Sequence, residues 1–138
     1  MDKKKDISDK LRSTGLRPTK QRVRLAEYLF NRSKTFHFSV ENLDKVINKK
    51  GSEEKIALAT IYNTVNAFKK AGHLKEILLK EGRSYFDTNT NAHHHFYDSD
   101  TNELIDIRFN EIEVTKLPHP PKGKQIKGLE VVIGLKKI

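Results

Sequence analysis

At Gly72 the hydrophobic rhythm of this chain changes. Before it, apolar residues recur at the three- and four-residue spacing of helices; after it they alternate, as strands do. Thr19, behind Pro18, stands where a helix N-cap belongs, and Val23, Ala26, Leu29 and Phe30 then mark one face of a helix over Lys20 to Phe30. A turn, NRSKTFHF, follows. Ser39 can cap a second helix with Val40, Leu43, Val46 and Ile47 on one side, and Gly51 after Lys49 and Lys50 is its stop. The spacing of Leu58, Ile61, Val65 and Phe68 predicts a third helix from about Leu58 to Ala71, ended by Gly72, and a weaker helix fits within Asp6–Ser13 before Gly15. Beyond Gly72, HLKEILLKEGRSYFDT reads as a hairpin: Ile77 and Leu79 lead to Glu81-Gly82, and Tyr85-Phe86 return.

Three helices and then a hairpin is the order of a winged helix-turn-helix, whose third helix enters the major groove of DNA while the wing touches the backbone. Residues 1–82 hold 19 Lys and Arg against 10 Asp and Glu, and residues 83–138 hold 8 against 8, so the net +9 lies entirely in the first part. A basic part joined to a neutral one suggests a polyanion partner for the first and another task for the second. A Lys-rich surface also serves solubility, and charge alone leaves both readings open. On the third helix Thr60, Tyr62, Asn63, Thr64 and Ala67 fall outside the apolar stripe. Asn can bond an adenine edge, and Thr or Ala can meet a thymine methyl, yet any solvent face is polar as well.

From residue 93 a second module begins. Two short strands, about His94–Tyr97 and Glu103–Ile107, a short helix near Glu111–Leu117, the breaker LPHPPKG and a long last strand through Leu129, Val131, Ile133 and Leu135 are expected. About fifty residues bury little surface of their own. The last strand therefore calls for a partner, and a second copy of the chain is the economical one. The stretch FDTNTNAHHHFYDSDTNELID, residues 86–106, holds three of the six histidines. In an extended strand His93 and His95 share one face and His94 takes the other. Asp87 and Asp106 fall at expected strand ends. Imidazoles and carboxylates without sulfur suit divalent iron, manganese or zinc; a run of solvated histidines beside acceptors is the plain alternative. The chain has no cysteine, which excludes disulfides, thiolate zinc sites, thiol catalysis and thiol redox sensing. No apolar run approaches the ~20 residues of a membrane span, and MDKKKDISDK is charged throughout, so a cytoplasmic protein is expected.

LRPTKQR (16–22), ALATIYNTVNAF (57–68) and YFDTNTNAHHHFY…ELIDI (85–107) resemble the ferric uptake regulator superfamily. The NTNAHHHFY run, the missing cysteines and the ending LEVVIGLKK are most similar to its iron response regulator branch in alphaproteobacteria. The resemblance implies a homodimeric transcriptional regulator of the α+β class rather than an enzyme, acting in iron and haem homeostasis. Residues 1–87 would be a winged helix-turn-helix with wing and hinge, and 88–138 a small α/β domain for dimerisation and sensing. Its partner would be double-stranded DNA with a palindromic operator, and the metal site would be His37, Asp87, His93, His95 and Asp106. The DNA contacts carried over by position are Arg17, Lys20, Thr60, Tyr62 and Asn63. In that branch the histidine run is linked to haem, which makes His93, His94 and His95 candidate axial ligands.

The departures from the family pattern matter too. Where the first CxxC pair of the family's structural zinc would stand, this chain has Asp98 and Thr101, so a structural zinc held by four cysteine thiolates is not expected. His94 and Glu113 match part of a further metal site whose remaining position falls at Lys127 and Gly128. On the residues alone, His37 is an ordinary turn histidine and His73 a structural residue favoured by a helix C-terminus. His119 has no assigned role, and Lys3-Lys4-Lys5 is a solvated tail. Two rival classes use the same ligands: a mononuclear iron oxygenase, and a metal- or haem-holding protein without specific DNA binding. The 43 residues after His95 leave little material for the closed pocket an oxygenase needs. Only the regulator should bind a palindrome in a salt-dependent way, weakened by changes at Arg17 or Asn63.

Overall fold

The computed structural model describes residues 3–51 and 54–138. It divides into two compact units, Met1–Thr90 and Asn91–Ile138. In the first, four helices, α1 (Lys3–Ser13), α2 (Lys20–Phe30), α3 (Val40–Ile47) and α4 (Leu58–Lys70), accompany three short strands, β1 (His37–Phe38), β2 (Lys75–Leu78) and β3 (Ser84–Asp87). Both expected N-caps are made: Thr19 Oγ1 accepts from the Arg22 amide at 3.2 Å, and Ser39 Oγ from the Asn42 amide at 3.1 Å. Each satisfies an amide that the first helical turn leaves without a partner. Gly72 has φ +89, the left-handed conformation that ends a helix cheaply only without a Cβ. Helix α1 starts earlier than the sequence suggested, so the lysine run belongs to its first turn, where the side chains of Lys3 and Lys4 lie outside the described set.

Leu11 of α1, Leu25 and Leu29 of α2, Leu43 of α3 and Ile61, Val65 and Phe68 of α4 close the core of this unit. Two expected stripe residues, Val46 and Leu58, remain exposed at its margins. Thr64, expected on the open face of α4, is only 4% exposed. The positions 61, 64, 65 and 68 follow the core-facing spacing, and its hydroxyl does not change that geometry.

The three strands form a sheet in the order β1-β3-β2, both pairings antiparallel. The expected hairpin is present, its turn a 3-10 helix over Lys80–Gly82, closed by the Leu79 amide donating to the Arg83 carbonyl at 2.8 Å. Strand β1 lies inside what was expected to be a turn. Two residues show no period; it is the stacking of Phe38 on Phe86, centroids 5.7 Å apart, and the pairing of Phe38 with Phe86 that hold it.

The second unit is a sheet of β4 (His94–Asp98), β5 (Glu103–Ile107) and β6 (Val132–Leu135), in the order β5-β4-β6. Strand β5 is antiparallel to β4, and β6 is parallel to it. The helix expected at Glu111–Leu117 does not form; a 3-10 turn, Phe109–Glu111, is all that appears, and 112–131 holds no helix or strand. Val114, Thr115 and Pro118 explain this: two β-branched residues and a proline leave too short a run to nucleate. The long last strand shrinks to four residues, because β6 is an edge strand with β4 on one side only. Ile105, Phe96 and Ile133 form one cross-strand row, and Ile105 and Ile133 stay 45% and 38% exposed. Among the described residues no helix is long and apolar enough to cross a membrane.

Candidate functional site

In the first unit, the β1–β3 register sets His37 opposite Asp87, with His37 Nε2 3.4 Å from Asp87 Oδ2. Asp87 is 1% exposed, and its Oδ1 accepts from the Asn89 amide at 2.8 Å. Thr88 secures the strand ends: its Oγ1 accepts from the Phe36 amide at 3.0 Å, and its own amide donates to the Phe36 carbonyl at 3.1 Å.

In the second unit, alternation puts the rings of His93 and His95 side by side, centroids 4.4 Å apart, and the β4–β5 register sets His95 opposite Asp106. Asp106 Oδ1 lies 3.4 Å from His93 Nε2 and 3.3 Å from His95 Nε2. His93 Nδ1 is 2.6 Å from the Asn91 carbonyl. A carbonyl only accepts, so Nδ1 carries a proton; in the neutral ring Nε2 then keeps its lone pair, the outer-partner orientation that metal-binding histidines use.

These separations test the fit of a metal. They are long for charge-assisted hydrogen bonds, which run about 2.7–2.9 Å. Two donors bound about 2.1 Å from one ion lie roughly 3.0 Å apart at a right angle and 3.4 Å at the tetrahedral angle. The donor chemistry and spacing of each unit therefore fit a divalent ion.

His94 faces the other way. Its Nδ1 accepts from the Val131 amide at 3.0 Å, and its ring stacks on Phe109 at 5.3 Å, so it struts β4 against the chain entering β6. Asp98 and Thr101 meet in a polar turn, where Asp98 Oδ1 accepts from the Asp100 and Thr101 amides.

The expected DNA-facing residues sit in the first unit. Arg17, Lys20 and Asn63 are exposed, Thr60 is half-buried, and Tyr62 is 46% exposed. The Lys20 ammonium is 3.9 Å from the Glu54 carboxylate. Tyr62 donates from its hydroxyl to Glu41 Oε1 at 2.5 Å, a partner on α3 that no sequence pattern announced. That bond holds the Glu41 carboxyl below its ordinary range and pushes the Tyr62 phenol up. His73 has the expected structural place, its Nε2 2.7 Å from Thr14 Oγ1 and its ring beside Phe30 and Phe68. Burial, and then the Lys10 ammonium, lower its pKa. His119 is exposed.

A helical unit with a hairpin wing, a three-stranded C-terminal sheet, and imidazole–carboxylate groups in each define a winged-helix protein with a candidate metal site. The ferric uptake regulator family matches residues 13–132, and the chain belongs to that family. The ferric uptake regulation protein of Pseudomonas fluorescens is 33% identical over 107 residues, covering 77% of this chain and 85% of that one. The peroxide operon regulator of Bacillus subtilis strain 168 is 29% identical over 105 residues, 76% of this chain and 70% of that one. The structure of the ferric uptake regulator from Pseudomonas aeruginosa with manganese matches with a TM-score of 0.68 at 26% identity, covering 95% of this chain and 97% of that one.

Proposed function

We propose that the chain is a homodimeric, metal-responsive transcription regulator that reads a palindromic operator in double-stranded DNA through α4. The observation that carries this reading is the approach of His93 Nε2 and His95 Nε2 to one oxygen of Asp106 at ligand-to-ligand spacing, in a member of this regulator family. The manganese in the related structure and the iron and peroxide regulators among the relatives support it. The exposed row of Ile105 and Ile133 supports a second copy as the partner of the C-terminal sheet.

As ligands of a single divalent ion (iron, manganese or zinc) we propose His37, Asp87, His93, His95 and Asp106, each of which can offer one nitrogen or oxygen. Only residues 88–92 separate Asp87 from His93, so the chain keeps the two groups within about 20 Å even at full stretch. Bound there, the ion supplies positive charge that three imidazoles and two carboxylates can share. Gathering them would restrain the 88–92 connection and with it the spacing of the two α4 helices in a dimer, which must match the half-site separation. The NTNAHHHFY run and the absent cysteines favour the iron response regulator branch, and with it DNA binding when iron is scarce. Haem is the weaker ligand reading. His93, His94 and His95 are 6%, 2% and 2% exposed, and a porphyrin would need one of these rings uncovered.

The test is a titration of operator affinity with manganese, iron, zinc and haem, with metal content measured alongside. Replacing His93 and His95 with Ala should abolish metal binding and make DNA affinity indifferent to metal. Unchanged metal binding in that variant would remove the site, and a wild type without sequence-specific, salt-dependent binding would leave the metalloenzyme or metal-holding readings.

A further inference from the structure

We propose that Glu41 determines which bases Tyr62 selects, by keeping the phenol proton so that the phenol oxygen meets the major groove only as an acceptor. The inference rests on the reading of α4 as the DNA-reading helix. Glu41 is the second residue of α3, whose start is set by the Ser39 cap, and Tyr62 lies in the second turn of α4. Their contact, Tyr62 Oη to Glu41 Oε1, is 2.5 Å, a short charge-assisted hydrogen bond. An ionised carboxylate has no proton to give, so the phenol is the donor. The two pKa shifts agree, both favouring a carboxylate beside a neutral phenol, and the positive charge of Arg83 on the wing favours the same state of Glu41.

Both side chains are exposed, so neither fills a core. For hydrogen bonding, what Tyr62 has left to offer is the lone pairs of its oxygen. DNA phosphates present acceptors, and so do guanine O6 and N7 and thymine O4. The donors in the major groove are the N6 amine of adenine and the N4 amine of cytosine. With Glu41 in place, Tyr62 is therefore matched to adenine or cytosine. With the phenol proton released, the same hydroxyl can donate to phosphate or to any acceptor edge, and that discrimination is lost. Glu41 acts through Tyr62 and is a positioning residue.

The 138-residue chain, loaded with manganese, would be used to select binding sites from a pool of random duplexes. Affinity would then be measured by fluorescence anisotropy on the selected duplex and on copies carrying, one position at a time, a base analogue without its exocyclic amine. Wild type should lose roughly 3- to 10-fold at one position per half-site, the size of a single neutral hydrogen bond. Glu41→Ala, which removes the acceptor from an exposed position, should flatten that loss to within about 2-fold while still binding DNA. Tyr62→Phe should flatten it as well. A Glu41→Ala variant that keeps the wild-type amine dependence overturns the proposal, as does a wild type that selects a site but shows no such position. A wild type that selects no sequence overturns the regulator reading itself.

Discussion

Asp106 faces two imidazoles at once, and Asp87 is buried against a third, so single carboxylates carry much of the chemistry of these clusters. Asp106→Ala should weaken manganese binding beyond the ~10–100-fold that loss of an outer partner typically costs, as read by isothermal titration calorimetry. His94→Ala should act differently. Its ring supports Val131 and Phe109, so the variant should lose roughly 2–5 kcal/mol of stability in urea unfolding, with a smaller change in metal affinity. His73 gives a pH prediction. Its folded-state pKa is lowered from the ordinary 6.5 by burial and by Lys10, so the unfolded chain takes up the proton more readily. The stability it contributes is present above about pH 6.5 and is lost as pH falls through the folded value. Thermal midpoints between pH 7.5 and 5 should fall less for His73→Gln than for wild type.

Helices are the elements most open to reading from composition, because their caps and stripes are local: Thr19 and Ser39 mark two starts, and Gly72 marks a stop. The element errors have two causes, pairing between distant strands and a weak local pattern. Strand β1 exists through its pairing with β3, β6 is cut to the residues that β4 can pair, and the 112–131 stretch has no local pattern strong enough to form a helix. Thr64 shows how a polar residue hides a core position. Thr64→Lys should place an unpaired charge in the core and unfold the first unit, whereas Asn63→Lys, one residue away on the exposed face, should leave the melting temperature nearly unchanged. Ser39→Ala should cost about 1 kcal/mol through the lost cap, measured by denaturant unfolding.

Across the molecule, the +9 charge confined to residues 1–82 is an electrostatic footprint with a measurable consequence. If roughly six to ten phosphates are contacted, operator affinity should fall about 10³–10⁵-fold between 50 and 200 mM salt. A polar change on the C-terminal sheet tests assembly: Ile133→Asp should shift the sedimenting species to the mass of one chain and abolish operator binding together. A monomer that retained full operator affinity would contradict the dimeric reading.

Sequence by itself determined what is written in neighbouring residues: the helical first part, the hairpin after Gly72, the charge division, and the shared face of His93 and His95. It could list carboxylates but not choose among them, since strand register couples residues 50 positions apart, as with His37 and Asp87. The Glu41–Tyr62 bond was hidden for the same reason, two helices meeting at a point that neither one's period encodes. Periodicity is a one-dimensional property of a segment, whereas pairing, burial and the tautomer a histidine adopts depend on partners brought in by the fold.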